Sequence, residues 1–442
     1  LFSTSWIGIA ALAGMFHFRL STDMMIGYLM IDFSIFDYKK GVHSMTQQKS
    51  NKAALYILMF NMFIAMGSIG IIIPVMPEYL KIFGAAGQVL GMLIATFALA
   101  QFVFSPIAGN LSDQYGRKNL IIFGLIVTGL AQIGFGLATD VWMLFLARFL
   151  GGLGSAFVAP PIMAFVADVT TYEERGKGMS MLGAAMSLGF MIGPGIGGFL
   201  AKVSLHFPFF TAGVAAILAS VLSYFLLPST KPNTSHDKQR QENLAKQMAR
   251  SIHMPYFVML IIMLVFSFGI ANFQTTLSLF VTEKFNYTPV DIAIILVVGG
   301  AFGVVVQMFV ITPLFNRFGE MKVVLVNLFI ASVAIFLILF VSGFALILVV
   351  ATIFSTATTL IRPAVNTLIS KLAEKEQGFA AGLNNAYMSL GNMIGPALAG
   401  LLFDWNMNSP YIFGSIILLA CFFLALIWTL KKAPHLMHPD TK

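Results

Sequence analysis

One cysteine, Cys421, stands in 442 residues, which excludes an intrachain disulfide framework and any cysteine-rich metal site. Charge is scarce as well. Only 10% of the residues are Asp, Glu, Lys or Arg, against 58% hydrophobic, and the mean hydropathy is +0.88. Too little polar material remains to coat a water-exposed globule, so the chain belongs in lipid. A phosphate-binding loop is also missing: the Gly176-Lys177 pair is followed by Gly178 where such a loop needs Ser or Thr. That excludes an ATP-driven pump of this type. No nucleophile elbow and no metal-ligand spacing is present, so the expectation is a non-enzyme without metal or cofactor. The net charge is +8, but the basic residues are dispersed among short loops. Membrane topology explains that pattern, and nucleic-acid binding is not expected.

What the chain does have is a repeat. Residues 187–200 read SLGFMIGPGIGGFL and residues 389–402 read SLGNMIGPALAGLL, 202 positions apart. The same register pairs Pro161 with Pro363, Glu174 with Glu376, Gly176 with Gly378 and Met186 with Met388. Two like-oriented halves of a membrane protein can hold a ligand between them and rock around it. Transport is therefore the leading reading.

From Asn51 onward the apolar runs predict twelve spans, at 54–77, 88–110, 119–139, 141–166, 179–202, 208–227, 254–282, 290–313, 323–342, 344–369, 379–403 and 410–430. Residues 45–228 and 254–432 are expected to form six-helix halves, joined by a linker at 229–253 and followed by a tail at 433–442. Residues 1–44 change character at Met45 and read as an upstream extension or disordered leader, with a further apolar helix as the alternative. Alternate loops differ in charge. Arg117, Lys118, Arg175, Lys177, Arg317, Lys322 and Lys371 fall on the side of the N-terminus, while Lys81, Lys202 and Lys284 fall on the other. The excess of positive charge predicts that both termini are cytoplasmic.

The sharpest local motif is Gly109-Asn-Leu-Ser-Asp113-Gln-Tyr-Gly116-Arg117-Lys118, between the second and third spans. Its glycines permit a tight turn, and its charges can latch neighbouring helix ends. At every defining position it resembles the loop signature of the major facilitator superfamily, G-x-L-x-D-x-x-G-R-K. Arg148-Phe-Leu-Gly151-Gly152-Leu-Gly154 resembles the family's fourth-helix arginine motif. Gly189, Gly193, Pro194, Gly197 and Gly198 lie in a stretch that resembles the fifth-helix motif of its drug:proton antiporters. Over residues 45–432 the chain resembles NorA-type multidrug and quinolone efflux pumps, through IGPGIGGF, IRPA and GFAAGLNNA. The resemblance implies an all-α membrane fold of twelve helices in two pseudo-symmetric halves. It further implies a monomer in the cell membrane that exports small amphipathic molecules, quinolones and cationic dyes among them, against a proton gradient. A facilitator-fold carrier of a sugar or other metabolite is the alternative.

Arg148 and Arg362 are the charged residues well inside predicted spans. A bare guanidinium in lipid is costly, so each must face protein, water or ligand. Arg148 is a candidate for proton coupling or for a clamp on helix carbonyls, and Arg362 for lining a cavity. No Asp or Glu lies near a span centre, which leaves Asp113 and Asp168, at helix ends, as the acidic candidates for coupling and gating. Gln101, Gln274, Asn384 and Asn392 are intramembrane amides, and Phe97, Phe190 and Phe273 are candidate aromatic walls of a cavity. The second half has Asn316 where the first has Asp113, so its latch is expected to be weaker.

Overall fold

The computed structural model describes residues 43–171, 174–229, 244–373 and 377–432. The expected leader up to residue 42, most of the linker and the tail at 433–442 lie outside the described residues, as does the side chain of Asp113. Among the described residues every regular element is helical. The first half comprises α1 (His43–Ile72), α2 (Met76–Lys81), α3 (Gly87–Tyr115), α4 (Arg117–Gly136), α5 (Val141–Ala156), α6 (Ala159–Val169), α7 (Arg175–Leu200) and α8 (Phe207–Leu226). After the linker helix α9 (Leu244–Ser251) come α10 (Phe257–Phe285), α11 (Pro289–Phe309), α12 (Ile311–Phe318), α13 (Glu320–Leu337), α14 (Phe344–Ala373), α15 (Gln377–Trp405) and α16 (Ser409–Lys432). Twelve stretches of these helices are long and apolar enough to cross a membrane.

Local chemistry sets the interruptions. The predicted fourth span is broken into α5 and α6 just before Pro160 and Pro161, whose nitrogens cannot donate to the helix ladder. The predicted first span stops early, at Ile72, and the chain turns into the short α2 with Pro77 in its first turn. The predicted eighth span ends at Phe309 rather than at residue 313, and α12 follows it. Gly116 (φ 87°) and Gly319 (φ 80°) make the bends into α4 and α13, a conformation that a side chain disfavours. Asn286 closes α10 in the left-handed region, and a Thr288–Asp291 capping box opens α11.

Within each half, buried polar side chains tie helices together in place of a hydrophobic driving force that lipid does not supply. Asn61 Nδ2 donates to Ser223 Oγ at 2.7 Å, and Gln132 Nε2 donates to the Ser68 carbonyl at 3.3 Å. In the second half Asn272 Nδ2 donates to the Pro410 carbonyl at 2.9 Å. Large apolar side chains such as Phe225, Phe309 and Trp405 are exposed, and lipid is the solvent they require. The end of the linker is docked: Ser251 Oγ and the Tyr387 hydroxyl share a hydrogen bond of 2.8 Å, and Arg250 lies over the Phe379 ring.

The repeat reappears as packing. Gly189, Gly193 and Gly197 press α7 onto α1, where a β-carbon at Gly193 would sit 2.8 Å from the Gly67 carbonyl oxygen. Gly391 and Gly395 press α15 onto α10 in the same way, against Leu264 and Phe268. The next glycine in each copy leaves its own half. Gly198 meets Pro289 and Ala293 of α11, and Gly400 meets Gly87 and Gln88 of α3. Since Pro289 also lies 202 positions after Gly87, the two seams between the halves are copies of each other.

Candidate functional site

The inter-half seams lie at the end of the bundle where α3 and α11 begin. There Gly91 faces the Pro396 carbonyl too closely for a β-carbon, and the Gln88 backbone N–H donates to Asp404 Oδ2 at 2.8 Å. The Asp404 carboxylate thus caps the positive end of α3. Glu283 of α10 lies close enough to feel the charges of both Asp404 and Lys81. The seams run inward along α7 and α11, where Gly195 approaches Val297 and Gly300 approaches Met191.

The opposite end carries ion pairs within each half. Arg117 Nε and Asp168 Oδ2 approach to 2.6 Å, joining the start of α4 to the end of α6. Lys118 Nζ donates to the Leu227 carbonyl at 2.6 Å and lies over the Tyr224 ring. The corresponding place in the second half, 203 positions later, holds Glu320 and Lys371 at 2.9 Å. The polarity is exchanged. A weaker second latch was expected from Asn316, but the structure supplies an ion pair through residues outside that comparison. Gly109 has nothing within 4 Å of a β-carbon, so packing does not require a glycine there, whereas the bend at Gly116 does.

Between the two ends the fixed charge is of one sign. Every carboxylate within the twelve spans lies within two residues of a span end: Asp168, Glu283, Asp291, Glu320 and Asp404. Deeper inside are only Arg148 and Arg362, with no Asp, Glu or His. Arg148 is 9% exposed, its guanidinium 4.8 Å from the Phe135 ring centroid and 3.5 Å from the Met76 sulfur, with Nε unpartnered. It sits beneath α2, beside the buried Tyr79, whose hydroxyl donates to the Phe135 carbonyl at 2.9 Å. Among the described residues neither helix carbonyls nor an acid hold it.

Arg362 has different surroundings. It is exposed, as is Asn366 one turn later, while Ser355 and Thr359 precede it on the same face of α14. The exposed apolar Ile353 is nine residues before Arg362, about two and a half turns, and so lies on the opposite face. That apolar face is the one suited to lipid. A β-carbon at Gly299 or Gly303 of α11 would lie 2.9 Å from Ser355 Oγ or 2.7 Å from Thr359 Oγ1. On the other flank, Asn384 Nδ2 of α15 donates to Asn366 Oδ1 at 3.0 Å. The polar stripe therefore runs between α11 and α15, which pack on α7 and α3 of the first half. It faces away from the apolar side of α14 that suits lipid. Asn384 itself is buried and its Oδ1 has no partner.

The sequence matches the model of the Major Facilitator Superfamily over residues 58–385 and 259–441. The chain belongs to the Major Facilitator Superfamily. It is 40% identical over 387 residues to multidrug resistance protein 2 of Bacillus subtilis, covering 86% of this chain and 96% of that protein. It is 36% identical over 357 residues to the quinolone resistance protein NorA of Staphylococcus aureus, covering 80% and 91%. Among solved structures, the nucleoside transporter NupG superposes with a TM-score of 0.69 at 12% identity, over 86% of this chain and 99% of that one. A bacterial homologue of the human lysosomal transporter Spinster, solved inward-facing and unoccupied, superposes with 0.65 at 15% identity, over 90% and 98%. These establish the superfamily fold. A multi-pass membrane transporter of small molecules, not an enzyme, follows from membership and from the drug-resistance relatives.

In this superfamily member the residues singled out from sequence separate into groups. Gln101 Nε2 donates to Ser155 Oγ at 3.0 Å, joining α3 to α5, and the Phe97 ring packs on Gly151 beside it. Phe190 and Gln274 are half-buried, and Asn392 is exposed. Phe273 is buried and stacked on Phe354 with centroids 4.1 Å apart, so in this conformation it packs α10 on α14. Arg362 and Asn384 are brought to one site by Asn366, which sequence reasoning passed over. The signal was legible in principle, as Asn366 follows Arg362 by one helical turn. Asp404 and the Glu320–Lys371 pair were missed as well, because nothing local distinguishes them from ordinary helix-end charges.

Proposed function

We propose that the protein exports amphipathic drugs, quinolones and cationic dyes among them, from the cytoplasm by alternating access driven by the proton gradient. The observation that carries this reading is the position of the seams. The halves meet where α3 and α11 begin, and the basic loops lie at the other end. If basic loops are cytoplasmic, the structure is closed outside and positioned to load from within. Both termini are then cytoplasmic, and a single chain contains the whole path.

Export requires the seams to part and the opposite end to close. The glycine contacts give each seam a close backbone surface that separates as a unit, and Pro194 and Pro396 permit α7 and α15 to bend beside it. At the inner end the Arg117–Asp168 and Glu320–Lys371 pairs tie helix ends within each half, so that each half moves as one body. Coupling is assigned to the inner-end acids Asp113 and Asp168. A proton reaching Asp168 would neutralise the charge that holds Arg117. Inverted membrane vesicles test the reading. Energised vesicles are expected to accumulate a quinolone and a cationic dye, and an uncoupler is expected to abolish accumulation of both. Uptake that persists with the uncoupler would exclude proton drive.

A further inference from the structure

We infer that Arg362 and Asn366 form a carboxylate-binding subsite, and that among amphipathic molecules the protein selects those carrying a carboxylate over those that are purely cationic. This rests on the export reading above and names the substrate class of its central site. The first ground is the charge inventory of the spans, which places two guanidinium groups and no acid, histidine or lysine in their interior. An organic cation entering there finds no counter-charge, and like-charge repulsion strengthens as water is excluded.

The second ground is geometric. Arg362 has no ion pair, hydrogen bond or ring contact with the rest of the protein among the described residues, although it lies within a span. The other interior arginine, by contrast, is packed against Phe135 and Met76. Asn366, exposed on the same face, accepts from Asn384 through its oxygen, which fixes its amide and leaves its Nδ2 as a donor. A guanidinium and an amide N–H one turn apart on one helix face present two donors to the two oxygens of a carboxylate. The polar stripe continues through Thr359 and Ser355, and the Thr359 hydroxyl donates to the Ser355 carbonyl at 2.8 Å. Arg362 and Asn366 thus each keep a donor free beside one another.

Equilibrium binding to the purified full chain tests the subsite with three probes: a zwitterionic fluoroquinolone, its carboxyl methyl ester, and tetraphenylphosphonium. Wild-type protein is expected to hold the acid about tenfold more tightly than the ester, the loss of one charge-assisted contact. In Arg362→Gln the ratio is expected to fall to about one, with tetraphenylphosphonium binding no weaker than in wild type. Arg362→Lys, which keeps the charge but not the fork, is expected to retain part of the preference. A wild-type ratio near one, or an undiminished ratio in Arg362→Gln, would overturn the proposal. Should that variant fail to fold, Asn366→Ala decides: a reduced ratio supports the subsite and an unchanged one sinks it. Vesicle transport separates the two readings. Selective binding without accumulation would reject export and keep the subsite, whereas equal accumulation of acid and ester would reject the subsite and keep export.

Discussion

Gly400 lies against the Gly87 carbonyl with no room for a β-carbon between them, and 202 positions earlier Gly198 stands in the same relation to Pro289. One backbone contact is thus made twice, once by each half on the other. Leucine at either position would overpack its seam, at about 1–3 kcal/mol. Gly198→Leu and Gly400→Leu are each expected to lower turnover in vesicles by about five- to 150-fold. Gly134→Ala, where nothing lies within 4 Å of a β-carbon, is the control expected to leave turnover unchanged. Normal turnover in both leucine variants would show that the seams do not need to close.

The exchanged polarity of the inner-end pairs leads to a second expectation. Asp168→Arg alone places two cations together and should impair transport severely. Adding Arg117→Asp recreates the acid-then-base order that Glu320 and Lys371 show in the other half. The double variant is expected to recover a substantial part of wild-type turnover. Stability should move little, because Asp168 is 43% exposed and such pairs contribute below about 1 kcal/mol. Transport and thermal midpoints measured on all three proteins check this, and a double variant no better than the single one would reject the pairing as a functional unit.

Asp404→Asn removes the negative charge at the start of α3 while preserving shape. The amide oxygen can still accept from Gln88, so the loss is that of the charge at the helix end, about 0.3–1 kcal/mol, which is expected to loosen the seam. Hydrogen exchange of the peptide containing Gly87 and Gln88 should accelerate severalfold, with the peptide containing Pro289 much less affected. Equal acceleration of both would mean that the two seams open together.

Tyr79 lies outside the spans, and burial pushes its hydroxyl from 10.0 up to about 12. Tyr79→Phe is expected to lower stability by about 1 kcal/mol through loss of the bond to the Phe135 carbonyl. Below pH 10 the hydroxyl is protonated in both the folded and the unfolded chain, so the difference between the two proteins should not vary with pH. As pH rises above 10 the unfolded chain releases its proton first, and the advantage of the wild type should shrink. Thermal midpoints of both proteins between pH 7 and pH 11 would reveal this, and a difference that grows with pH would contradict the assignment.

Periodicity and composition made much of the fold legible. Twelve apolar runs of spanning length are a direct consequence of backbone hydrogen bonds that must be satisfied within lipid. The doubled SLG…MIGP stretch announced two halves because identical packing problems retain identical glycines. Helix ends were less legible. The stop at Ile72 and the turn before α2 depend on how Tyr79 seats against Phe135 and Phe209, contacts that no window along the chain contains.

The sequence by itself determined that this protein lives in a membrane, that it is doubled, and that its membrane interior carries two arginines and no acid, since each of these depends on residue type and order alone. Only the tertiary structure decided what those charges meet. Arg148 is packed against Phe135 and Met76 of α2, while Arg362 stands exposed on the polar face of α14, one turn from the Asn366–Asn384 pair. The physical reason is that a helix specifies the direction of its side chains but not its neighbours. Whether a guanidinium at a given depth meets a ring, a carbonyl or an open cavity is settled by helices dozens of residues away.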